Sequence, residues 1–156
     1  MKTLIEKTSD KLVNAFIKNK IITPLPIKFT KKLKDAEKFR KLCESKVKDP
    51  IIGFKAAGTG FPLMKKFKEK EPFYASIFKR NFDKSGKKVK INKFTLGIEL
   101  EVCYLVKKEF FKSKSKITIK NISKYISHMA PCIEVIGYRQ RKKGVTGFGD
   151  LCSDFG

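Results

Sequence analysis

Three glutamates and one lysine are the residues whose types and spacing could do chemistry in this sequence. In "FTLGIELEVCYLV", residues 94–106, Phe94, Leu96, Ile98, Leu100, Val102, Tyr104 and Val106 fall on every second position. That period of two predicts a strand with one face against a core. Glu99 and Glu101 then project together from the other face, about 7 Å apart along the strand. At an effective dielectric of about 20 their repulsion is roughly 2 kcal/mol. A strand tolerates such a pair if the face is open to water, if a proton is shared, or if a cation sits between them. Glu134 is a single carboxylate in a second apolar stretch, "PCIEVIGY". Three carboxylates on two neighbouring strands make an oxygen cluster suited to Mg²⁺ or Mn²⁺. Spacing alone is equally compatible with three unrelated surface glutamates. Lys55 lies in the small, apolar stretch "GFKAAGTG". There it could hold a substrate carboxylate or a catalytic proton, although so Lys-rich a chain also places many lysines at random on its surface. The glycines around it do not form a P-loop, because GxxxxGK[ST] is absent.

The elements that must position these residues follow from periodicity and breakers. Leu4, Ile5, Leu12, Val13, Phe16 and Ile17 recur at helical spacing, with Ser9 or Asp10 able to cap the second half, and "ITPLP" ends that helix. A second helix fits "KKLKDAEKFRKLCESK", with Leu33, Ala36, Phe39 and Leu42 on one stripe. "IIGFKAAG" predicts a short buried strand, "FPLMKKFKEK" a short helix, and "FDKSGKKVKINK" a polar turn or exposed hairpin. After the long strand, "NISKYISHMA" predicts a helix capped by Asn121 and ended before Pro131, with His128 on its surface. "CIEVIGYR" predicts a strand and "RKKGVTGFGD" a Gly-rich loop. Helices first and strands after give an α+β order, divided as a helical region over 1–48 and a catalytic-type region over 49–156.

At 156 residues with 41% hydrophobic residues the chain fits one core. No stretch is long and apolar enough to span a bilayer, and "MKTLIEKTSDKLV" lacks the apolar run of a signal peptide. Cys43, Cys103, Cys132 and Cys152 are scattered without a CxxC, beside a single His, which argues against a zinc site or disulfide framework and for a reducing cytoplasm. The net charge of +22 invites a nucleic-acid reading, yet Arg40, Arg80, Arg139 and Arg141 are the only arginines among 37 basic residues. Base and phosphate readers lean on bidentate Arg, so no specific nucleic acid and no membrane partner is expected.

Taken in order, "IIGFKAAGTG" with "EPFY" downstream, "GIELEVCYLV", "APCIEVIGYR" and the terminal "SDFG" resemble the 2-keto-4-pentenoate hydratase / 4-oxalocrotonate decarboxylase family of the fumarylacetoacetate hydrolase superfamily. The resemblance runs from about residue 30 to 156. It implies amino-terminal helices followed by a mixed, barrel-like β-sheet. It implies Glu99, Glu101 and Glu134 as ligands of Mg²⁺ or Mn²⁺, Lys55 as the catalytic residue, and Lys55, Leu96 and Gly97 beside a small 2-oxo acid. The implied reaction is hydration of a 2-hydroxy-2,4-dienoate in aromatic-compound catabolism. Decarboxylation of a 4-oxalocrotonate-like acid, or hydrolysis of an acylpyruvate, uses the same metal platform. Many of the hydratases carry an acidic residue where "EPFY" has Phe73.

Family members also continue past the point where this sequence stops. It is therefore expected to resemble an amino-terminal portion, homo-oligomeric if complete, or else a non-catalytic remnant. The strands at 94–106 and 131–139 would leave apolar faces and unpaired edges that favour association. The dispersed lysines lead to a test of their own. Any DNA binding should come almost wholly from counterion release. A titration in about 200 mM salt should fail to separate one DNA sequence from its scramble, and persistent discrimination would show a specific reader.

Overall fold

The computed structural model describes residues 2–140 and 142–154, so Arg141 and the last two residues of "SDFG" lie outside the described residues. The chain is α+β and divides into two compact units, Met1–Thr95 with Tyr138–Gly156, and Leu96–Gly137.

In the first unit, helix α1 (Leu4–Ile17) starts at Thr3, where Thr3 Oγ1 accepts from the Glu6 N–H and Glu6 accepts from the Thr3 N–H. This capping box satisfies two orphan donors, so the cap lies one turn or more before the expected Ser9 or Asp10. Ser9 is instead fully buried mid-helix, where its hydroxyl donates to the Glu6 carbonyl. Helix α2 (Leu33–Glu44) buries Ala36, Phe39, Arg40 and Cys43. Leu12, Phe16, Leu25, Phe39 and Phe78 form the main core, with Phe29 stacked on Phe39 at 5.1 Å. Each such side chain contributes roughly 2 kcal/mol on burial.

Strand β1 (Ile51–Ala57) pairs antiparallel with β2 (Phe73–Phe78), and Lys55 lies opposite Ala75. Helix α3 (Phe61–Phe67) connects them. Arg40 joins helix to sheet. Its guanidinium donates to Glu44 at 2.5 Å and lies 4.8 Å from the Tyr74 ring centre, while Glu44 accepts from the Ser76 N–H at 3.1 Å. Helix α5 (Phe148–Ser153) closes a second cluster, with Phe148 edge-on to Phe67 and Phe73.

The second unit is built on β3 (which starts at Thr95 and runs to Val106) and β4 (Ile126–Gly137), paired in a two-stranded sheet. A connection with the short helix α4 (Lys108–Lys112) joins them. Leu96, Ile98, Leu100, Val102 and Tyr104 on β3, and Met129, Ile133 and Val135 on β4, are exposed, Leu100 at 85%. The period-two pattern is there, but among the described residues no core covers that face.

Several expectations change. In place of a mixed, barrel-like sheet, the described residues form two two-stranded sheets. "IIGFKAAG" is a strand but not a buried one: Ile51, Ile52 and Phe54 are exposed, since β2 is its only pairing partner among the described residues. "NISKYISHMA" is a 3-10 turn over Ile122–Tyr125 running into β4, which continues through Pro131. A strand with one partner leaves an open side where Pro needs no donor. Asn121 ties the connection rather than capping a helix, accepting from the Thr118 N–H and donating to the Lys116 carbonyl. His128 is exposed, as expected, but on a strand. The Gly-rich loop ends in α5.

Gly149 shows how tightly α5 docks. A Cβ there would lie 2.0 Å from the Thr30 carbonyl oxygen. Gly149→Ala should therefore destabilise the first unit by about 2–3 kcal/mol, read as a lower urea midpoint. An unchanged midpoint would show that α5 is not held where described.

Candidate metal centre

Strand alternation puts Glu99, Glu101 and Cys103 on one face of β3 and Cys132, Glu134 and Ile136 on one face of β4. A Cβ on Gly97 would meet Ile136 at 3.9 Å, so these two faces are the same side of the sheet. On that side Glu99, Glu101 and Glu134 each offer a carboxylate oxygen, all within 4.8 Å of one another. Glu99 and Glu101 are exposed and Glu134 is half-buried. The three acids are therefore brought to one point.

The donor set fits a hard cation. Octahedral Mg²⁺ holds oxygens at about 2.1 Å, so opposite ligands stand about 4.2 Å apart. Three ligands include at most one opposite pair and adjacent ones stand about 3.0 Å apart, so the carboxylates would have to close by up to roughly 2 Å. Two thiols border them. Burial, then the neighbouring Cys103, Glu101 and Glu134, push the Cys132 thiol above its ordinary range. The lack of a CxxC says nothing of these cysteines, but alternation puts Cys103 on the face of Glu99 and Glu101 and Cys132 on that of Glu134, and strand pairing brings the two faces together.

The other expected site residues are placed less simply. Lys55 belongs to the first unit, half-buried on β1. Leu96 and Gly97 open the β3 segment of the second unit. Gly97 shares the carboxylate face, whereas alternation turns Leu96 to the apolar one.

With this geometry in hand, the chain can be set beside known proteins. No family model matches the sequence, and no curated protein matches it. Among solved structures the fold is similar to that of 4-oxalocrotonate decarboxylase from Pseudomonas putida G7, determined in complex with magnesium and adipate. The TM-score is 0.66 at 16% identity, covering 99% of this chain and 61% of that one. The likeness is one of fold. The chain spans about three-fifths of the length of that enzyme chain.

The first unit holds a second titratable constellation, which sequence reasoning missed although "SDFG" contains its acid. Asp154 is 2% exposed and accepts from the Arg139 N–H at 2.6 Å. The Arg139 guanidinium donates to the Asp154 carbonyl at 3.3 Å and lies 4.5 Å from the Phe94 ring centre. Burial pushes the Asp154 carboxyl up to about 7, against the opposing pull of Arg139, Gln140 and Lys55. Two distant arginine-adjacent and acidic positions carried no shared pattern from which this pairing could be read.

A carboxyl with its folded pKa raised keeps its proton in the native state while the unfolded chain has lost it. The native state then binds more protons between about pH 4 and 7, so this group's contribution to stability falls as pH rises through that window. Asp154→Asn, which cannot ionise, should remove that fall. Urea titrations of the two proteins should diverge in the variant's favour by up to a few kcal/mol from pH 4 to 7. Parallel profiles would show that Asp154 ionises normally.

Proposed function

We propose that this chain carries the Mg²⁺ or Mn²⁺ site of a hydratase-type lyase acting on a 2-hydroxy-2,4-dienoate. The observation that carries the reading is the convergence of Glu99, Glu101 and Glu134. When bound, the cation supplies Lewis-acid stabilisation of the enolate charge of a 2-oxo acid. Glu99, Glu101 and Glu134 would hold it. The sequence resemblance would give Lys55 charge stabilisation or proton transfer at the substrate and put Leu96 and Gly97 beside it, Gly97 on the carboxylate face and Leu96, turned to the opposite face, through its backbone. In the reaction a dienol ketonises and water adds across the remaining double bond.

A second reading, decarboxylation, is supported by two observations. The similar fold belongs to a decarboxylase. Phe73, where many hydratases carry an acid, is 2% exposed and packed 5.5 Å from the Phe148 ring centre, so no carboxylate stands there to move the proton of water. In that reaction the bond to the leaving carboxylate breaks, CO₂ departs, and the electron pair remains as the same enolate until a proton returns to carbon.

Calorimetry with Mn²⁺ should show binding to the wild type that is weakened more than about tenfold in Glu99→Gln/Glu101→Gln, since two anionic ligands are lost. Equal affinity would remove the site. Turnover of 2-hydroxypenta-2,4-dienoate against CO₂ release from 4-oxalocrotonate then separates the readings. Lys55→Met should lower whichever turnover is present while leaving Mn²⁺ affinity unchanged.

A further inference from the structure

The connection between β3 and β4, residues 107–124, concentrates charge beyond the chain's general basicity. It holds Lys107, Lys108, Lys112, Lys114, Lys116, Lys120 and Lys124 against one acid, Glu109. All seven lysines are exposed. The segment is nevertheless a built structure. The Lys107 N–H donates to the Tyr125 carbonyl at 2.7 Å and Lys107 Nζ donates to the Lys124 carbonyl at 2.9 Å. Phe110 packs edge-on against Tyr125, whose hydroxyl is 2.9 Å from Ser113 Oγ. Having used Phe110 in this small core, the connection leaves its neighbour Phe111 73% exposed and Ile119 96% exposed. Phe111 keeps one edge-on contact with Phe110, 5.3 Å between ring centres, yet both apolar side chains stand largely in water on a lysine-rich segment.

We propose that residues 107–124 dock the protein on an anionic lipid surface, with Phe111 and Ile119 entering the headgroup–acyl boundary and the lysines pairing with acidic headgroups. Charge complementarity chooses an anionic surface. The apolar pair chooses lipid over nucleic acid, since Ile has no ring on which a base can stack and the segment contains no Arg for bidentate phosphate contacts. Long Lys stems can run along the interface while their ammonium groups stay wet. Among the described residues no helix is long and apolar enough to cross a membrane. Lying on one is a different mode that needs no span, and with it the proposal goes beyond the expectation of no membrane partner. The proposal is independent of the metal site.

The test is co-sedimentation of the full chain with phosphatidylcholine vesicles, with and without phosphatidylserine, beside two variants of equal net charge. One carries Lys112, Lys114, Lys116 and Lys120 changed to Gln. The other carries Lys84, Lys87, Lys88 and Lys90 changed to Gln, from the equally exposed stretch before β3. The first should bind serine-containing vesicles on the order of a hundredfold more weakly than wild type, and the second within about threefold of it. Phe111→Ser/Ile119→Ser should lose about tenfold with an unchanged circular-dichroism melt. Equal losses in the two lysine variants would show diffuse charge attraction and overturn the proposal. So would wild-type binding by the Phe111/Ile119 variant, or complete displacement from vesicles by poly(U) RNA.

Discussion

Repulsion among three carboxylates held within 4.8 Å of one another sets the terms for everything built on β3 and β4. No single strand produces that cluster. Alternation on β3 supplies two acids about 7 Å apart along the strand, and only pairing with β4 brings in the third. Water reaches Glu99 and Glu101, which lowers the cost of holding the charges together; a divalent ion would reverse its sign. The cluster is thus tolerated as a wet acidic patch, and a bound cation would relieve its repulsion.

The first unit solves a different problem, burying charge without losing it. Arg40 is fully buried yet bonded to Glu44 and stacked against Tyr74, so α2 is locked to β2 through one guanidinium. Breaking one partner of such a pair is far more costly than never having buried it. Asp154 and Arg139 form a less balanced pair, in which desolvation outweighs attraction and the acid keeps its proton to about 7. Around these charges the aromatic clusters of Phe16, Phe39 and Phe78, and of Phe73 and Phe148, provide the apolar burial.

Local periodicity made α1, α2, α3 and β3 legible, because each has a run of apolar residues at one clear spacing. It failed where neighbours decide the outcome. "FYASIF" hides β2, since Phe73, Ala75, Ser76 and Phe78 are all buried and no alternation survives. "YISHMA" scans as a helix ending at Pro131, yet pairing with β3 extends it as a strand on which proline sits harmlessly. The site was legible to the extent that alternation fixes it: the facing of Glu99 and Glu101 follows from the sequence alone. Glu134 was a candidate from its apolar stretch and its motif, but only strand pairing brings it, Cys103 and Cys132 to one side of the sheet. The Asp154–Arg139 contact depends on the backbone turning back between 139 and 154, which no local pattern announces.

A metal centre here requires one point in space between three side chains. A crystal of the full chain grown or soaked with Mn²⁺, with data collected near the manganese absorption edge, locates that ion directly. An anomalous peak about 2.2 Å from an oxygen of each of Glu99, Glu101 and Glu134 is the expected result. Manganese ordered elsewhere, with the three carboxylates bound only to water, would contradict it.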